Sequence, residues 1–268
     1  MKLKKGLNQN KKSKEVNLMK RFLIFAMVIG ISITMSASAF AGIANSKHDL
    51  SSNSSAAIRA ESGVAGADQL CVWCHTPHAA VTGQGVPLWN KSITVASFTT
   101  YPTTIGGTAQ VPADSIRPMS KICLTCHDGT LAINIVINAP GSGGYVATGA
   151  TAGGDWVGLG ATNKLNSTYG ASFLDTDLSN DHPISILYSA ISATTSANPA
   201  SLRVTTEVST ITDAAWISRS KSDTKISGQL VGGYIECVSC HNPHSTTNQL
   251  FLRGTTAASK ICTTCHDI

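Results

Sequence analysis

The stretch C-V-W-C-H-T-P-H, Cys71 to His78, sets two thiols and two imidazoles within eight residues, and its reading decides the fold. All eight cysteines of this 268-residue chain fall in four C-x-x-C pairs, each followed at once by histidine. They are Cys71, Cys74 and His75; Cys123, Cys126 and His127; Cys237, Cys240 and His241; and Cys262, Cys265 and His266. On a short helix, residues i, i+3 and i+4 share one face. Two thiols at that spacing add to the two vinyl groups of a haem, and the next imidazole lies under the iron as proximal ligand. Paired cysteines also build structural zinc sites, and exported thiols often become disulfides. Neither alternative needs a histidine in the fifth position, and oxidising compartments do not favour free-thiolate zinc sites. The motifs therefore predict four haem c groups per chain.

The histidines number eight. Four are taken as proximal ligands, and His48, His78, His182 and His244 remain to fill the other face of four irons. Each alone has an ordinary alternative as a solvent-facing side chain. Methionine offers little competition, because Met119 is the only one after residue 41. Bis-histidine ligation is thus expected at every iron, without the potential-raising effect of a methionine ligand.

In C-H-T-P-H and C-H-N-P-H, Pro77 and Pro243 force the residue before them towards extended backbone and break any helix. Three residues cannot carry His78 or His244 around the rim of the macrocycle bound beside it, so each is expected to ligate a neighbouring haem. Such a ligand clamps two haems at close range. The motifs also form a repeat, about 71–128 and 237–267, with 52 residues between first cysteines in one copy and 25 in the other. Within each copy the shortest assignment gives His78 to the haem of Cys123 and His244 to that of Cys262. His48 and His182 then serve the haems of Cys71 and Cys237, in either order.

Residues 1–41 read as a secretory signal: a lysine-rich start, the apolar run Phe22 to Met35, and S-A-S-A-F-A before a cut after Ala41. Met19 is a candidate true start, with 1–18 upstream of it. A retained membrane anchor is the alternative, and the apolar run is short of a full span. Export to the periplasm and beyond is expected, with no membrane span after signal removal. The signal carries eight of the 20 Lys and Arg and one of the 15 acids, leaving 12 cations against 14 anions. The apparent basicity belongs to the leader, so no nucleic-acid partner is expected.

Residues 42–268 are rich in Gly, Ser, Thr and Ala, lack sustained helical periodicity, and offer only short candidate strands such as Leu131 to Ile137. Such a chain buries too little apolar surface to fold unaided. The expected fold is a multihaem c-type cytochrome, mostly irregular coil with short helices at the CxxCH motifs and few short strands, wrapped around a stacked haem chain. It forms a single tetrahaem domain whose two paired-haem repeats are joined by a Ser/Thr/Gly-rich linker. The tryptophans Trp73, Trp89, Trp156 and Trp216 are expected to pack against porphyrin or core. Asp128 and Asp267 read as solvated carboxylates or as partners of a ring N–H. Asn53, Asn90 and Asn166 begin N-x-S/T sequons.

The doubled motifs, the D-H-P-I-S around His182, the S-K-x-C-x-T-C-H-D second motifs and the K-H-D-L-S around His48 resemble the paired-motif multihaem cytochromes of metal-reducing bacteria. Within them, the pattern is similar to the tetrahaem extracellular cytochromes that polymerise into conductive filaments. That resemblance implies a homopolymer in which His48 ligates a haem of the adjacent subunit, expected to be the haem of Cys237; ligation within one chain is the alternative. Other redox proteins or extracellular metal acceptors would receive the electrons. If all eight histidines are bound, no iron has an open position, so an electron carrier rather than an enzyme is expected. Two alternatives remain: a discrete periplasmic shuttle, and a multihaem reductase with one open site or a lysine ligand such as Lys47 or Lys121.

Overall fold

The computed structural model describes residues 42–62, 66–83, 88–100, 116–140, 156–188, 202–207, 209, 211 and 225–267. The signal reading of 1–41, Trp216 and much of the Gly/Ser/Thr-rich sequence lie outside the described residues. All four CxxCH motifs and all eight histidines lie within them. Among the described residues no helix is long and apolar enough to cross a membrane.

Coil dominates, as the composition implies, and the regular elements are short. Helix α1, Pro118–His127, carries the second motif. Its start follows from Pro118, whose fixed φ suits the first helical position and whose missing N–H costs nothing there. Its end follows from Gly129, which takes φ +69 just past the C-cap. A side chain at Gly129 would meet the Leu165 carbonyl oxygen at 2.7 Å and the Phe173 ring. Helices α2, Cys237–Cys240, and α3, Lys260–Thr263, are single turns at the third and fourth motifs. Short 3-10 turns occupy Ser167–Ser172, Ile226–Gln229, Gln249–Phe251 and Ala257–Ser259.

The one described sheet pairs β1, Ile186–Leu187, with β2, Tyr234–Ile235, antiparallel, with Ile186 opposite Ile235 and Leu187 opposite Tyr234. It is too small to stand alone. Its effect is positional: β2 runs into Glu236 and then α2, so the ladder fixes where the third motif begins. The expected strand Leu131 to Ile137 does not form. Turns replace it, with Ile133 and Ile137 donating to Asn163 and Asn90 carbonyls.

The apolar side chains gather in three small clusters, each holding or touching a CxxCH residue. Trp73, inside the first motif, packs with Ile133, Val136, Trp156 and Leu165. Its indole meets that of Trp156 edge to face at 4.8 Å, an arrangement worth about 1 kcal/mol beyond area burial. Leu124, inside the second motif, packs with Phe98, Ile116 and Leu178. Tyr188, Ile226 and Leu230 form the third cluster, against which Ile235 and Cys265 pack.

Candidate haem sites

Every motif makes the turn that brings its two thiols and its imidazole to one side. His75, His241 and His266 each donate their backbone N–H to the carbonyl of the first cysteine of their motif, at 2.8, 3.0 and 2.9 Å. His127 is the last residue of α1. At His241 the chain leaves the helix with φ −113 and ψ 140, and Pro243 then holds Asn242 away from helical geometry. The first motif makes its turn without a continuing helix. Cys71 and Cys262, the first cysteines of the terminal motifs, are exposed, and the other six are half-buried.

The imidazoles pair across the fold. His75 and His244 stand 6.0 Å apart between ring centres, His48 and His127 6.2 Å, and His182 and His266 6.4 Å. A metal–imidazole bond of about 2 Å on each side, plus roughly 1 Å from ring nitrogen to ring centre, places two imidazoles on one metal about 6 Å apart. All three separations fit one iron between each pair. His78 and His241 are exposed, and among the described residues no ring contact joins them.

These pairs differ from those that proximity along the chain predicts. His244 faces His75 rather than His266, His182 faces His266, and the ring opposite His127 is His48 rather than His78. The physical reason is that tertiary contacts set the partners: the His48 ring bonds the Pro243 carbonyl and stacks on Phe251 at 4.2 Å, which anchors the N-terminal segment beside the third motif. The resemblance gives His48 a haem in the adjacent copy; here it stands beside His127 of its own chain.

Ring tautomers also suit ligation. Nδ1 of His127 donates to the Ser172 carbonyl at 2.6 Å, that of His182 to Pro183 at 2.9 Å, and that of His241 to Leu250 at 2.8 Å. A carbonyl only accepts, so each proton sits on Nδ1 and Nε2 is left with its lone pair, the usual arrangement for a metal-bound imidazole. Burial, with His127 adding to it, pushes His48 down to about 4, which keeps that ring neutral as a ligand must be.

The thiols meet in chain order. Burial pushes Cys74 up to about 11, and the nearby Cys126 sulfur adds to the rise. The Cys123 thiol donates to the Cys237 sulfur, which raises the first well above the ordinary thiol value and lowers the second. Burial likewise pushes Cys240 up to about 11, with Cys265 adding to it. Thiols of motifs two and three therefore meet directly, and those of one and two and of three and four lie within electrostatic range of each other. Among the described residues no three His, Cys, Asp or Glu side chains converge as a bare metal site.

Buried donors without partners point the same way. The indole nitrogens of Trp73, Trp89 and Trp156 and both amide atoms of Asn134 and Gln229 are buried with no hydrogen bond among the described residues. Orphaned polar groups of this kind ask for an acceptor or donor that the polypeptide does not supply, and haem propionates would supply acceptors. Trp89 stands 6.3 Å from the His75 ring. The residues present fit covalently bound haem c.

Sequence reading missed several residues around these sites. Asp128 is buried rather than solvated, accepting from Thr130 N and Oγ1 at 2.8 Å each and from Thr94 Oγ1 at 2.6 Å. Asp267 is exposed and lies 3.5 Å from Arg203. Asn90 is fully buried, bonded to Val72, Asn138 and Cys74, so its sequon does not mark an exposed loop. Lys91 and Glu236 are buried beside the motifs, and neither carries a sequence signal, since an isolated charge in a polar segment is ordinarily a surface residue.

Short coil-linked turns that each present two thiols and an imidazole define a haem c scaffold. The CXXCH motifs indicate covalently bound haem c and support a multihaem c-type cytochrome with electron transfer as its chemistry. A family model described as the doubled CXXCH motif matches residues 230–268, which hold the third and fourth motifs. No curated protein matches the chain significantly.

Proposed function

We propose that this chain carries electrons along four haems in the order of its motifs, from that of Cys71 to that of Cys262. The observation that carries this reading is the set of three imidazole pairs, each at the spacing of two ligands on one iron. The haems would supply one-electron exchange between ferric and ferrous iron. The chain's residues would do the rest: the thiols would hold each macrocycle, the paired imidazoles His75 and His244, His48 and His127, and His182 and His266 would each hold one iron, and the strip 90–94 and the α1–α2 contact would keep neighbouring macrocycles close. Irons held by two imidazoles would have no open position for a small-molecule substrate, and on this reading, with the fourth iron closed by a neighbouring copy, the protein works as a carrier and not as an enzyme. The test is spectroscopic. The oxidised protein is uniformly low-spin, and His244→Ala creates one high-spin haem per chain that binds carbon monoxide when reduced. A high-spin fraction in the natural protein would favour a reductase instead.

The fourth ligand pair falls to His78 and His241, both exposed. Supplied by the next copy, His78 would make the head-to-tail contact that the resemblance assigns to His48, and such contacts propagate into an open filament. An exported, extracellular filament delivering electrons to external acceptors is the assembly we favour. Light scattering of secreted protein tests it: the natural chain forms large particles and His78→Ala does not. Small particles from the natural chain would leave a discrete shuttle, and large particles from both would remove His78 from the contact.

A further inference from the structure

The first and second motifs are joined by a strip of coil, residues 90–94. Asn90 N–H donates to the Cys74 carbonyl at 2.8 Å, and its side-chain amide donates to Val72 at 2.6 Å. Four residues on, Thr94 N–H donates to Thr125 Oγ1 at 3.2 Å and Thr94 Oγ1 to Asp128. Lys91 lies between these two anchors and is 2 % exposed. Its ammonium donates to the carbonyls of Ile133 and Ile135, the latter at 3.2 Å, and among the described residues no carboxylate lies within ion-pair distance.

A buried ammonium held, among the described residues, by two carbonyl dipoles and no carboxylate is costly, and stability alone does not account for it. Its place between two haem-binding motifs offers a use. We propose that Lys91 tunes the reduction potentials of the haems on Cys71/Cys74 and Cys123/Cys126, raising both above those of the other two. Reduction adds one electron, from the electrode or donor, and removes one positive charge from the haem. A fixed cation nearby therefore favours the reduced form, and burial protects that effect from salt. Burial and surrounding charge are among the means by which a protein sets haem potential.

The strip holds Lys91 close to both motifs: Asn90, one residue before it, bonds the Cys74 carbonyl, and Thr94, three residues after it, bonds Thr125 and Asp128 at the end of α1. Asp128, buried beside the second motif and bonded to Thr94, sets a carboxylate against this cation there. The haem of Cys71/Cys74 should accordingly gain more than that of Cys123/Cys126.

The proposal rests on the haem reading above, and haem content separates the two failures. Purified Lys91→Gln, Lys91→Arg and Asp128→Asn holoproteins are titrated spectroelectrochemically beside the natural protein, after their haems are counted by intact mass. Lys91→Gln should lower two of the four couples, one of them by about tenfold in the reduced-to-oxidised ratio at fixed potential, equivalent to 59 mV for one electron. Lys91→Arg should keep most of the natural values, and Asp128→Asn should raise one couple. Four haems with unmoved potentials in Lys91→Gln would overturn the role of Lys91 and leave the haem reading intact. If Lys91→Gln fails to mature, Asp128→Asn decides: a raised couple supports a charge-tuned junction, and unchanged couples overturn it. Natural protein lacking haem at the first two motifs would overturn both readings.

Discussion

The contact between motifs one and two and the contact between motifs two and three are built differently. At the first, the strip 90–94 runs between the motifs and buries a cation, Lys91, against backbone carbonyls. At the second, α1 and α2 meet directly through a buried carboxylate. Glu236 accepts from Ser120 and from Ser185, the latter at 3.3 Å, and pairs with Arg117 at 3.1 Å, while Ser120 Oγ also accepts from Cys237 N–H at 3.2 Å. Arg117 in turn lies 3.8 Å over the Tyr234 ring. The second junction is nearly charge-balanced, whereas the first has an excess cation partly offset by Asp128. The difference suggests a division of labour: the second contact fixes how two sequence-distant repeats dock, and the first sets electrostatic bias along the electron path.

The largest effect should come from breaking the second junction. Glu236→Ala leaves Arg117 without its counter-charge and strips Ser120 and Ser185 of an acceptor, which should cost about 3 kcal/mol, at the low end for a buried pair because Arg117 is 37 % exposed. Denaturant unfolding followed by haem absorption measures this, and an unchanged midpoint would show that the helices dock without the carboxylate. Glu236→Gln keeps the volume and should lose roughly half as much.

An intermediate effect is expected at the first junction. Asn90→Ala removes side-chain bonds to Val72 and Asn138 and the acceptor for Asn138 N–H at 2.9 Å. A loss of about 2 kcal/mol follows, read in the same titration; a loss equal to that of Glu236→Ala would erase the contrast between the junctions. Smallest is Thr94→Val, which takes one donor from Asp128 and the acceptor of Ala96 N–H and should cost about 1 kcal/mol. Because Thr94 and Glu236 share no partner, the double variant should show the sum of the single losses.

The CxxCH motifs could be read from the chain because thiol and imidazole spacing is local: a single helical turn between Cys71 and His75 or Cys262 and His266 is enough to build the site. The coil-rich fold was legible for a related reason, since Gly, Ser and Thr give little periodicity to follow. The pairing of imidazole rings was not legible. His244 meets His75 and His182 meets His266 through folding across the molecule, and no sequence interval encodes which distant ring arrives. Leu131 to Ile137 has strand-forming residues, yet its backbone groups bond to Asn90 and Asn163 rather than to a neighbouring strand. Glu236 and Lys91 escaped notice because their burial depends on partners 116 and 42 residues away.

The central claim, that each of the four motifs holds a haem, is tested most directly by the intact mass of the secreted protein under denaturing conditions. The account predicts a polypeptide carrying four covalently attached haems and no free thiol. A mature chain with fewer attached haems, or with cysteines joined to one another, would contradict it.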